Sequence, residues 1–164
     1  MNAFFDNSEM KAMTYNDQKV KEWYHDGVLV YRSATPYRVL FTDYPIVKTA
    51  SYIDDNTAKV STDNSGYTMS LKRNPDAGGY GYVKGSVTLP TQGCNKVAIS
   101  YKCFASSGLD INDTQIFGVF TSYKEDTYIL DCSGDAFTLN LCLYEGTGDN
   151  TAILNMTEIH FYYE

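Results

Sequence analysis

Few side chains in this 164-residue sequence are spaced for bond-making chemistry. General acid–base work near neutral pH falls first to histidine. There are two, His25 beside an Asp-Gly turn and His160 between Glu158 and Tyr162 on an outward strand face. Both read as solvated surface residues. No G-x-S-x-G, H-E-x-x-H or glycine-rich phosphate loop occurs, so nucleophilic, zinc-hydrolase and nucleotide chemistries have no motif to stand on. Carboxylate pairs arise by chance in any acidic chain, and none singles itself out as a glycosidase pair. The sequence predicts no catalytic residue and no enzyme.

Binding chemistry has more to offer. Cys94, Cys103, Cys132 and Cys142 form no C-x2-C pair and lie far from both histidines, which argues against zinc. A Cys94–Cys132 or Cys103–Cys142 disulfide is geometrically open. The opening MNAFFDNSEM lacks the basic and apolar regions of a secretory signal, so free thiols are expected. Cys103 is expected as a small buried hydrophobe. Asp110-Ile111-Asn112-Asp113 and Asp54-Asp55-Asn56 carry oxygen ligands that suit calcium, but without EF-hand spacing. Such residues also cap ordinary turns, and no cofactor is predicted. Tyr80 and Tyr82, two apart on one strand face, could stack on sugar rings or pack against a neighbouring surface.

The elements that would position these groups are strands. Fifteen tyrosines and eight phenylalanines stand against one tryptophan, a bias that suits pleated surfaces. Period-2 alternation assigns faces. It points Tyr67, Met69 and Leu71 inward, then Val83, Val87 and Leu89, with Tyr80, Tyr82 and Lys84 outward. Val97, Ile99, Tyr101 and Cys103 form a third inward set, and Phe137, Leu139, Leu141 and Leu143 a fourth. Ile159, Phe161 and Tyr163 form a fifth, with Glu158, His160 and Tyr162 facing solvent. QIFGVF is apolar on both sides and reads as a central strand. Tyr37–Phe41 and Ile46–Ile53 are further strand candidates. Turn clusters recur every eight to fifteen residues, which predicts an all-β sandwich or jelly roll with about eight strands between Ile46 and Tyr163. No stretch approaches the eighteen apolar residues of a membrane span.

Ahead of that body, KVKEWYHDGVLVYR reads as a hairpin with strands near 18–24 and 28–32 around Asp26-Gly27. Alternation puts Trp23 opposite to Val20 and Tyr24, so both hairpin faces carry apolar bulk. Such a hairpin is unstable alone and belongs between two surfaces. The sequence therefore divides into a docking segment, 1–36, and a body, 37–164. Net charge is −7, and all of it falls on residues 91–164, which carry three basic and ten acidic side chains. That sign disfavours nucleic acid.

The pattern of Val20, Trp23, Gly27, Val30 and Tyr31 resembles the N-terminal hairpin of phage and prophage virion proteins of tail, baseplate or capsid surface. VTLPTQGCNKVAISYKCF and TEIHFYY are similar to jelly-roll modules of phage tails and of carbohydrate-binding modules. The resemblance implies a virion structural protein assembled in the host cytoplasm, partnered by other virion proteins and by copies of itself. Trp23, Tyr24, Val30 and Tyr31 would make its assembly contacts. The alternative is a carbohydrate-binding module that meets cell-surface glycan through Tyr80 and Tyr82.

Overall fold

A computed structural model describes residues 14–15, 18–19, 22–25, 28–32, 34–52, 57–72, 81–104, 106, 108–117, 123–145 and 151–164. Two small antiparallel pairings come first: β1 (Thr14–Tyr15) with β2 (Gln18–Lys19), and β3 (Glu22–His25) with β4 (Val28–Arg32). The second is the hairpin expected from the sequence, but its first strand begins at Glu22 and not near residue 18, because Gln18–Lys19 pairs with Thr14–Tyr15 instead. Its register shifts so that Trp23 stands opposite Tyr31 and Tyr24 opposite Leu29, leaving Val30 with no residue across from it. The extra residue is a β-bulge, which interrupts simple alternation through the pair.

The body follows as β5 (Tyr37–Arg38), β6 (Val47–Ser51), β7 (Ala58–Asp63), β8 (Gly66–Lys72), β9 (Tyr82–Pro90) and β10 (Lys96–Phe104). After these come β11 (Leu109–Ile111), β12 (Thr114–Phe117), β13 (Tyr123–Asp131), β14 (Ala136–Tyr144) and β15 (Thr151–Tyr162). One sheet runs β13-β10-β15-β8-β7, with β5 beside the far half of β15; the other runs β12-β11-β14-β9-β6. All pairings are antiparallel. The fold is an all-β sandwich.

Its core is the set that alternation selects. Met69, Leu71, Val83, Leu89, Val97, Ile99, Leu139, Leu143, Ile159 and Phe161 are fully buried between the sheets. Burying a side chain of this size contributes about 1.5–3 kcal/mol. Tyr37 stacks on Phe161 with centroids 5.2 Å apart, and its hydroxyl donates to the Pro90 carbonyl. All four cysteines are buried and unpaired, Cys103 among the core residues as expected.

Several expectations change. Among the described residues, ten strands, not eight, lie between Val47 and Tyr162. One is β13, whose exposed Glu125, Asp126 and Asp131 blur any apolar alternation because it is a sheet edge. Another arises because Asn112 and Asp113 both take positive φ, 48° and 61°, and turn the chain between β11 and β12. That is the type I′ arrangement Asx residues tolerate. QIFGVF was expected at the centre, but β12 is the edge of the five-stranded sheet. The Tyr37–Phe41 strand shortens to two residues, and a single 3-10 turn, Phe41–Asp43, buries Phe41 against Tyr67 instead. Tyr163 lies past the end of β15 and is 51% exposed, not inward. The turn clusters at 74–79 and 146–150 fall outside the described residues.

Candidate functional site

Burial of Val83, Val87 and Leu89 on one side of β9, and of Leu139, Leu141 and Leu143 on one side of β14, dictates the other side of each strand. The outer face of the five-stranded sheet therefore carries Tyr82, Lys84 and Ser86 from β9 and Asn140, Cys142 and Tyr144 from β14. Register joins them in rows: Lys84 beside Cys142, Tyr82 beside Tyr144, Ser86 beside Asn140. Asp110 of β11 stands next to Cys142. Among these rows lies a depression of about 210 Å³, lined by Thr49, Lys84, Gly85, Asp110, Asp113 and Asn140 among others.

Its polar groups are held in place. Tyr144 Oη donates to Asp110 Oδ2 at 2.6 Å. That bond, together with burial, pushes the Tyr144 phenol well above its ordinary value, because an adjacent carboxylate disfavours a second negative charge. Ser86 Oγ donates to Asn140 Oδ1 at 2.8 Å, which turns the Asn140 amide nitrogen toward other partners. Asn112 clasps β14, its N–H donating to the Asn140 carbonyl at 2.8 Å and its Oδ1 accepting from Asn140 N–H at 2.7 Å.

The same face carries an aromatic pair next to Lys84. Tyr52 N–H donates to the Tyr82 carbonyl at 3.1 Å. The two rings stack with centroids 6.1 Å apart and planes 21° from parallel. Lys84 Nζ sits 5.5 Å from the Tyr82 ring centroid, within cation–π range. Tyr82 is thus engaged on both counts and half-buried. The ring left open is Tyr52, at 57% exposure. A flat aromatic face beside a lysine donor, an asparagine and two carboxylates can stack an apolar ring face and hydrogen-bond its hydroxyls.

Of the residues singled out from sequence, Tyr82 lies on this outer face and Tyr80 lies outside the described residues. Trp23, Tyr24, Val30 and Tyr31 are on the hairpin strands, where only the backbone is described. His160 is on the other sheet, its ring 5.7 Å from Tyr162. Asp110, Asn112 and Asp113 do not form a cation loop. Asn112 Oδ1 and Asp110 Oδ2 are already taken by protein donors, and among the described residues no group of three or more His, Cys, Asp or Glu side chains is placed to hold a metal. Asp54-Asp55-Asn56 falls outside the described residues. Sequence reading missed Tyr52, Asp110 and Asn140 as one group, since only strand pairing between distant segments brings them together.

No family profile and no curated protein sequence matches this chain. Among solved structures, TmCBM61 in complex with β-1,4-galactotriose is similar with a TM-score of 0.43 and 11% identity, over 76% of this chain and 90% of that one. A family 29 carbohydrate-binding module is similar with a TM-score of 0.36 and 17% identity, over 77% and 90%. A β-glucosidase from Kluyveromyces marxianus in complex with glucose gives a TM-score of 0.34 and 16% identity over 48% of this chain, which spans 11% of that enzyme's length. At these scores and identities none carries an argument about this chain. The sandwich stands on its own strand pairing.

Proposed function

We propose that this protein is a non-catalytic glycan-binding β-sandwich whose site is the outer face of the five-stranded sheet. One observation carries the reading: an exposed tyrosine ring, Tyr52, stacks on Tyr82 of a sheet face where Lys84 beside Tyr82 lines a depression with Asp110 and Asn140, both held by hydrogen bonds from neighbouring strands. Fixed donors and acceptors suit sugar hydroxyls because little ordering remains to be done on binding.

The test is a glycan array on the full chain, followed by calorimetric titration of any ligand found. Tyr52→Ala is expected to weaken binding about tenfold, or about 1.4 kcal/mol, with the melting temperature unchanged. Tyr123→Ala, on the other sheet, is expected to bind as wild type. Equal affinity of wild type and Tyr52→Ala would reject this site.

A second reading, attachment of this module to a virion through residues 1–36, is favoured by one specific observation. The β3–β4 hairpin forms its own two-stranded sheet and is hydrogen-bonded to no described strand of the sandwich. Light scattering after size exclusion should then show self-association in the full chain that Trp23→Ala reduces. A monomer in both cases would retire the docking role.

A further inference from the structure

We propose that Cys94 and Cys132 are a thiol pair that closes to a disulfide under a mild disulfide oxidant, clamping the two crossovers where the chain passes between the sheets. Cys94 lies in the connection from β9 to β10, and Cys132 in the connection from β13 to β14. Both connections lead between the five-stranded and six-stranded sheets. They meet at one end of the sandwich: Thr91 N–H donates to the Asp135 carbonyl at 3.0 Å, and Thr91 Oγ1 to the Gly134 carbonyl at 2.5 Å. Cys132 N–H donates to the Asn95 carbonyl at 2.9 Å. The Cys132 thiol in turn donates to the Cys94 carbonyl at 3.4 Å.

Of the two pairings the sequence leaves open, the fold keeps one. Cys103 faces the core from β10, whereas Cys142 lies on the outer face of the other sheet between Lys84 and Asp110. They cannot meet without dismantling a strand. Cys94 and Cys132 occupy adjoining connections, joined by the bond from the Cys132 thiol to the Cys94 carbonyl.

The pair is also asymmetric. Cys94 is fully buried and its thiol donates to the Thr35 carbonyl at 3.6 Å, while Cys132 retains 8% exposure. Cys132 is therefore the entry point. With glutathione disulfide as oxidant, the Cys132 thiolate attacks one sulfur and expels a glutathione thiolate. The Cys94 thiolate then attacks Cys132 Sγ in the mixed disulfide and expels the second. Two protein thiols lose two electrons and two protons, and one glutathione disulfide becomes two glutathione thiols. Closure also removes the Cys94 thiol donor from Thr35, leaving the Thr35 N–H bond to the Gln92 carbonyl at 3.1 Å to hold the connector from the hairpin. Burial raises both thiols above their usual range, so the reaction is expected to be slow.

The experiment incubates the native full chain with glutathione disulfide, alkylates the remaining thiols after unfolding, and maps peptides without reduction. Expected are a fall from four free thiols to two, a peptide joined through Cys94 and Cys132, and a glutathione adduct trapped on Cys132 in Cys94→Ser. Four thiols surviving in the native protein, or a bridge that includes Cys103 or Cys142, would overturn the proposal. If Cys94→Ser does not fold, the wild-type peptide map decides alone.

Discussion

Gly66→Ala tests whether the turn between β7 and β8 is seated against β15 as described. Gly66 takes φ +147°, a conformation that L side chains rarely adopt. A methyl group added there would stand 1.8 Å from the Met156 carbonyl oxygen and 2.9 Å from its carbon. That backbone cannot retreat freely, because Met156 lies in β15 with Tyr101 of β10 on one side and Tyr67 of β8 on the other. Holding a non-glycine residue in such a conformation costs about 1–3 kcal/mol. Forcing the strands apart adds about 1–3 kcal/mol more, so a total loss of about 2–6 kcal/mol is expected. Gly85→Ala is the control. Its new methyl would meet Ile46 Cδ1 at 2.8 Å and Met69 Cε at 3.6 Å, both ends of flexible side chains. Alanine also restricts the unfolded chain, a gain of about 0.4–1 kcal/mol that offsets part of the crowding. Urea unfolding followed by circular dichroism should place Gly85→Ala within about 1 kcal/mol of wild type and Gly66→Ala far below it. If Gly66→Ala unfolds at the wild-type midpoint, or later than Gly85→Ala, the packing of this turn on β15 is wrong.

Leu139→Ala removes a fully buried side chain from β14 and should cost about 2–5 kcal/mol in the same assay. Val47→Ala, at an exposed position on edge strand β6, should cost about 0.5 kcal/mol or less; equal losses would contradict the inward assignment of β14. Asp63 accepts from Ser65 N–H at 2.7 Å and from Ser65 Oγ at 2.5 Å, and these bonds hold its carboxyl below the usual range. A depressed folded pKa stabilises at pH above the unfolded value and ceases to do so as pH falls through the folded one. Asp63→Ala should therefore lower the urea midpoint near neutrality and converge on wild type in strong acid; a gap that persists there would assign the effect to something other than ionisation.

The sandwich was legible because alternation runs through the five segments read, and their inward residues, from Met69 on β8 to Phe161 on β15, are buried except Tyr163. Tyr163 failed because the pattern continues one residue beyond the last ladder pair, and period alone does not mark where pairing stops. Edge strands were the harder case. β13 mixes charge with Tyr128 and Leu130, since one flank of its backbone has no strand to meet. QIFGVF looks central from composition, yet the place of β12 is fixed by the two-residue Asn112-Asp113 turn, whose side chains suit a turn as well as a cation. The site was half legible. Outward Tyr82 and Lys84 follow from alternation within β9, but Asp110 reaches them only through β14, and Tyr52 only through the pairing of β6 with β9. Those are non-local contacts that local spacing does not encode.

Charge narrows the class of saccharide that this face would hold. Asp110 and Asp113 line the depression with one ammonium, Lys84, which already sits over Tyr82. Both carboxylates belong to the half of the chain that carries the whole net charge of −7. A uronate or sulfated sugar would meet two like charges at contact range and a repelling field beyond it, whereas a neutral sugar meets acceptors for its hydroxyls. Salt separates the two cases, because the screening length is about 30 Å at 0.01 M and about 8 Å at physiological ionic strength. Neutral oligosaccharides should bind with nearly the same affinity across that range. Anionic ones should bind more weakly throughout and recover partly as salt rises. Tight binding of an anionic glycan that salt abolishes would mean that Lys84 dominates the face and that the carboxylates point elsewhere in the complex.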